Sequence, residues 1–165
     1  MSLEIDLSAI GEPILCCPND PDDARFLSDI ESCPVDEVFI GSCMTRASHF
    51  EQAAALLPDA PVPVRLWMAP QTKLDQEKLI QGGAYAKFHT VAARMEMPGC
   101  SLCMGNQARV QDGATVVSTS TRNFPNRMGR DARVYLASAE VAALTARLGR
   151  LPPRAEYLEA ITASA

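Results

Sequence analysis

The sequence predicts an α/β protein of three layers, α/β/α, with a mostly parallel sheet at its centre. Three observations predict it. Short apolar runs alternate with segments of helical period along the chain, the pattern of βαβ units. The clearest run, Glu37-Val38-Phe39-Ile40-Gly41, is β-branched and aromatic and ends in a glycine, as a buried strand does. Turn and cap residues punctuate the chain where those segments meet.

Taken in order, Pro13 to Cys17 reads as a first strand. Pro18-Asn19-Asp20-Pro21 is a turn, with Asp20 placed to cap a helix opening on proline and burying Ala24, Leu27 and Ile30. Strand 37–41 follows, then a helix from Thr45 to Leu57 with Phe50, Ala53, Ala54 and Leu57 on one face. Val62 to Met68 is the next strand, with Pro63 near its start. Thr72 to Gln81 and Ala84 to Met95 read as helices separated by Gly82-Gly83. Ala114 to Ser118 and Arg133 to Ala137 are strands. Ser138 then caps a helix that has Glu140 in its first turn and stops at Gly149. A short amphipathic helix near Glu156 to Ile161 closes the chain.

With 165 residues, 47% of them hydrophobic and 21% charged, the chain suits one globular domain, expected to span 1–165. It holds no apolar run of membrane-spanning length, and Met1-Ser2-Leu3-Glu4 lacks the basic and apolar regions of a secretory signal. A cytoplasmic location is expected. The net charge of −5 argues against broad affinity for nucleic acid or anionic membrane. Residues 122 to 133 are the exception, with Arg122, Arg127, Arg130 and Arg133 against the single acid Asp131.

Six cysteines without a signal point to thiols or metal ligands in a reducing compartment. Cys16, Cys17 and Cys33 read as core or strand-end residues. The other three carry the chemistry. Cys43 lies in Gly41-Ser42-Cys43-Met44-Thr45, where a strand hands over to a helix, and ligands gather beyond the carboxyl ends of such strands. Cys100 and Cys103 form a Cys-x-x-Cys pair in the glycine-bracketed run from Pro98 to Gln107.

A lone Cys-x-x-Cys fits half a zinc site, a redox pair or a cluster ligand set. Structural zinc needs four ligands, and neither His49 nor His89 has a partner at metal spacing. A thioredoxin-like pair opens a helix directly after a strand, which Ser101-Leu102 fits poorly. Three thiolates instead favour a [4Fe–4S] cluster with one iron lacking a protein ligand. Such an iron acts as a Lewis acid toward a hydroxyl leaving group. Arg122 and Arg127 suit a substrate with several carboxylates, because a guanidinium fork matches a carboxylate.

These motifs, together with Ser118 through Arg127 and Tyr135-Leu136-Ala137-Ser138-Ala139-Glu140, closely resemble the aconitase superfamily. The resemblance runs from about residue 13 to 157 and is nearest to the C-terminal, cluster-binding domain of the bacterial B-type enzymes. It implies that Cys43, Cys100 and Cys103 hold an oxygen-sensitive [4Fe–4S] cluster. Arg122 and Arg127 are then substrate-carboxylate residues, with Ser120 and Thr121 lining the same loop. Thr121 departs from the pattern, since many single-chain aconitases have asparagine there. The implied reaction is a hydro-lyase one, citrate and isocitrate interconverting through cis-aconitate, with 2-methylisocitrate an alternative substrate. Nothing here matches the base-serine motif, so no catalytic base is expected in this chain. The partners implied are the tricarboxylate and the remaining domains of a larger enzyme, and the isolated domain is expected to be inactive. Two other readings stand beside this one: messenger-RNA binding by the cluster-free form through the 122–133 loop, and a zinc or redox Cys-x-x-Cys module.

Overall fold

The computed structural model describes residue 4 and residues 6–100, 102–106 and 108–164. Seven strands form one sheet: β1 (Ile14–Cys16), β2 (Ala24–Phe26), β3 (Glu37–Gly41), β4 (Arg65–Ala69), β5 (Arg94–Met95), β6 (Thr115–Ser118) and β7 (Arg133–Leu136). Their order is β2-β1-β7-β6-β3-β4-β5. The run from β7 to β5 is parallel. Only β1 runs against the others, antiparallel to β7 and to the edge strand β2. The mostly parallel α/β sheet is the one the sequence predicts.

β3 is buried at all five positions and pairs with β4 and β6, so it is the centre of the sheet. Its side chains divide by the two-residue period of a strand. Val38 and Ile40, with Leu66, Met68, Val117 and Tyr135, face a core completed by Phe50, Ala53, Leu79, Phe88 and the apolar side of the 139–148 helix. Phe39, with Trp67, Val116 and Val134, faces a second core closed by Leu102, Cys103, Val110, Met128 and Ala132. The first face carries helices α1 (Ala47–Leu56), α2 (Lys73–Gln81), α3 (Ala84–Thr90) and α4 (Ala139–Leu148). The layer on the second face is built largely of loops, with a 3-10 turn at Leu102–Met104.

Local chemistry explains the boundaries. Thr72 caps α2, accepting from the Asp75 N–H at 3.1 Å. Ser138 caps α4 by accepting from the Val141 N–H at 3.3 Å, and Gly149 ends that helix at φ 72°. The Arg46 N–H donates to His49 Nδ1 at 3.2 Å, so this histidine helps to close the first turn of α1. The last helix, α5 (Arg154–Ser164), is longer than the expected 156–161 and rests Tyr157, Ala160 and Ile161 on the first core.

Three expectations are corrected. The helix after Pro21 is a hairpin strand, β2, followed by a 3-10 turn at Leu27–Asp29. Asn19 turns at φ 68°, Asp20 accepts from the Asp22 N–H instead of capping a helix, and the Cys17 N–H closes on the Asp23 carbonyl at 2.8 Å. The helix from Ala84 stops at Thr90 instead of Met95. Ala92 takes a left-handed φ of 60°, the Ala92 N–H donates to His89 and the Ala93 N–H to Phe88, which is a Schellman cap without its usual glycine. That stop frees Arg94–Met95 to become edge strand β5. The strand predicted over 62–68 begins only at Arg65, beyond Pro63.

Candidate functional site

Four loops leave the carboxyl ends of the parallel strands, and together they carry every site residue predicted from sequence. Cys43 follows β3, Gln71 follows β4, Cys100 and Cys103 follow β5, and Ser120 to Arg127 follow β6. Hydrogen bonds join these loops in a ring. Thr119, just past β6, accepts from the Gly41 N–H at 2.8 Å and donates to the Gly41 carbonyl at 3.0 Å. The Gln71 side-chain amide donates to the Cys43 carbonyl at 2.6 Å. The Gly99 N–H donates to the Pro70 carbonyl at 2.9 Å. Arg127 Nε donates to the Cys103 carbonyl at 2.8 Å, which returns the ring to the β6 loop.

The three thiols differ in exposure. Cys43 is exposed, Cys100 half-buried and Cys103 buried. Burial is the first cause that pushes the Cys103 thiol up to about 12, followed by the Cys100 thiol beside it and the Cys43 charge, while Arg127 pulls the other way. The Cys103 thiol therefore feels the other two, a repulsion that a bound cationic centre relieves. Among the described residues, no three His, Cys, Asp or Glu side chains converge to hold a single metal ion. A cluster of several irons sets its thiolates further apart than one ion does, and an all-thiol donor set suits it.

On the β6 loop, Arg122 is exposed and Arg127 half-buried. Ser120 is buried; Ser118 Oγ donates to Ser120 Oγ at 2.8 Å, and Ser120 contacts the Arg122 carbonyl at 3.4 Å. Thr121 is exposed beside it. Asn123 has no exposed surface, and its amide donates to the carbonyls of Cys17 (2.6 Å) and Val134 (2.9 Å). That amide pins the arginine loop to the sheet. Sequence reading missed Gln71, Thr119 and Asn123, which act on backbone atoms across loops. The run Ser118-Thr119-Ser120-Thr121 was the one available hint.

Exposed apolar side chains rim this face: Met44, Met97, Met104 and Phe124, each on a site loop. His49 lies in the first turn of α1 and His89 in the last turn of α3. Cys16 ends β1, and Cys17 lies buried beneath Asn123, matching their strand-end and core reading. No helix among the described residues is long and apolar enough to cross a membrane.

The sequence model of the aconitase family (aconitate hydratase) matches residues 24–149. The chain belongs to the aconitase family. It is 60% identical over 157 residues to aconitate hydratase B of Salmonella typhimurium, a match covering 94% of this chain and 18% of that protein. To aconitate hydratase B of Helicobacter pylori it is 53% identical over 168 residues, covering 97% of this chain and 20% of the relative. It is 38% identical over 154 residues to 3-isopropylmalate dehydratase large subunit 1 of Deinococcus radiodurans, covering 90% of this chain and 35% of that subunit. The chain thus spans about a fifth of the length of its aconitate hydratase relatives. Aconitase relatives imply an iron–sulfur cluster in general, and none of these matches supports a zinc, redox or RNA-binding module.

Proposed function

We propose that this chain is the part of an aconitate hydratase that holds the iron–sulfur cluster and grips the substrate's carboxylates. One observation carries the reading: the hydrogen-bonded ring of loops that gathers three thiols and two arginines at the carboxyl ends of the parallel strands. Cys43, Cys100 and Cys103 would hold a [4Fe–4S] cluster. When bound, the cluster supplies a Lewis acid that makes hydroxide a tolerable leaving group.

This chain's own residues bind and orient. Arg122 offers an exposed guanidinium to one substrate carboxylate. Arg127 spends one donor on the Cys103 carbonyl and has further N–H groups for a second carboxylate, which ties substrate grip to the cysteine loop. Ser120 shapes the loop from beneath, and Thr121 lines its exposed side. Dehydration of citrate to cis-aconitate also needs a base to take the proton from the carbon beside a carboxylate. That base belongs to the rest of a longer polypeptide. Two facts support this division: the aconitate hydratase relatives are about five times longer, and the exposed apolar rim of the site is a face suited to covering. A reducing cytoplasm suits the thiols, and 2-methylisocitrate is the alternative substrate.

The test is turnover of citrate, cis-aconitate and isocitrate after anaerobic loading with iron and sulfide. The whole protein that carries this chain is expected to interconvert them, and the 165-residue chain alone is not. Turnover by the isolated chain, or none by the whole protein, contradicts the reading.

A further inference from the structure

Beside Cys43 lie three hydroxyls, two of them buried, that the proposed reaction does not use. Ser42 is 1% exposed, Thr45 is 3% exposed, and Thr119 lies part-buried against both. Their contacts link the three hydroxyls to one another and to the Gly41 backbone. Thr119 accepts from the Gly41 N–H (2.8 Å) and can donate to the Gly41 carbonyl (3.0 Å). Thr119 Oγ1 also lies 3.2 Å from Thr45 Oγ1, a hydrogen bond that either hydroxyl can donate. Ser42 Oγ and Thr45 Oγ1 share a 2.8 Å hydrogen bond, again open to either donor. The Thr119 carbonyl, at 3.4 Å, is a longer and weaker acceptor for the Ser42 hydroxyl. Ser42 Oγ in turn accepts from the Met44 N–H at 3.2 Å.

The result is a continuous chain that joins the Met44 N–H, Ser42, Thr45, Thr119 and the Gly41 carbonyl. It starts on the residue after Cys43 and ends two residues before it. The backbone it brackets is strained, since Ser42 adopts φ 153°, a region that residues with a side chain rarely enter. Strain of this kind persists only where the surroundings over-determine it.

We propose that Thr119, with Thr45 and Ser42, is a positioning residue for Cys43, its hydroxyl chain holding the exposed thiol in a preset turn. The proposal rests on the reading of Cys43 as a cluster ligand. A hydroxyl chain of this length polarises along its path, so removing one link affects both ends. Thr119→Val keeps the shape and removes the link; Thr119→Ser keeps the link.

The test uses the whole protein that carries this chain. In the metal-free form, the alkylation rate of each cysteine is read by peptide mapping. Thr119→Val is expected to change the rate at Cys43 by about fivefold or more, the worth of one hydrogen bond, with Cys100 unchanged. In the loaded form, iron loss to a chelator should quicken by a similar factor, about fivefold, for the same reason. Thr119→Ser should restore both rates to within about twofold, because the hydroxyl returns. Unchanged rates in Thr119→Val, or no rescue by serine, overturn the proposal while leaving the ligand reading intact. Full cluster retention in Cys43→Ser overturns the ligand reading, and this proposal with it.

Discussion

Arg127 Nε donates to the Cys103 carbonyl at 2.8 Å, so the residue proposed to grip substrate also holds the loop proposed to carry the cluster. Arg122, five residues earlier on the same loop, is exposed and makes no such tie among the described contacts. The two arginines should therefore fail differently.

Arg122→Ala should raise KM by roughly tenfold to a hundredfold, since a hydrogen bond to a charged group contributes about 1.5–3 kcal/mol. Its iron content should stay at the wild-type level. Arg127→Ala should raise KM similarly and also quicken iron loss. Steady-state kinetics read beside iron analysis separate them, and identical behaviour in both assays would count against the dual role of Arg127.

Gly105 closes the cysteine loop at φ 63°, and a Cβ there would lie 2.3 Å from the Arg127 carbonyl oxygen. Gly113 has a similar φ of 72° but open space around it. Gly113→Ala should cost about 1–2 kcal/mol, the conformational penalty alone. Gly105→Ala should cost more, because backbone must move as well, and should weaken cluster retention. Equal losses on urea unfolding would refute the close approach.

Glu37 is 1% exposed at the opposite end of β3 from Cys43. Its carboxylate accepts from Trp67 Nε1 at 2.6 Å, the Gln111 N–H at 2.7 Å and Arg65 at 3.3 Å. Glu37→Ala strands one buried donor, Trp67 Nε1, at about 1–3 kcal/mol, and removes the part-buried acceptor of the Gln111 N–H. Urea unfolding should register that loss while Cys43 alkylation in the folded protein stays at the wild-type rate. A changed rate would show that the two ends of the strand are coupled.

Ala92 occupies the left-handed position of the cap after α3 at φ 60°. Ala92→Gly should stabilise the protein by up to about 1 kcal/mol, since glycine avoids the Cβ penalty there. A thermal midpoint raised by about 2–4 °C is the expected reading for that gain in a domain of this size. A lowered midpoint would mean that the entropy lost by glycine outweighs the relieved strain.

The central parallel strands were legible because each is a short apolar run with a turn signal at its end, and β3 matched residue for residue. The hairpin strand β2 was not, because all three of its residues are exposed and carry no alternation. Its identity comes from pairing with β1, a contact outside the local pattern. The Ala92 stop was hidden for a related reason: its cap uses alanine where glycine is the readable signal. At the site, the cysteines and arginines announced themselves by chemical type. Gln71, Thr119 and Asn123 act through backbone carbonyls and amides brought together only by folding.

The most direct test of the cluster reading is iron and sulfide content after anaerobic loading of the whole protein, compared across six cysteine-to-serine variants. About four irons are expected in the wild-type protein, as the cluster type requires. Cys43→Ser, Cys100→Ser and Cys103→Ser should each fall well below that, while Cys16→Ser, Cys17→Ser and Cys33→Ser should match it. Full loading in any of the first three, or one zinc per chain with no iron chromophore, would contradict the account.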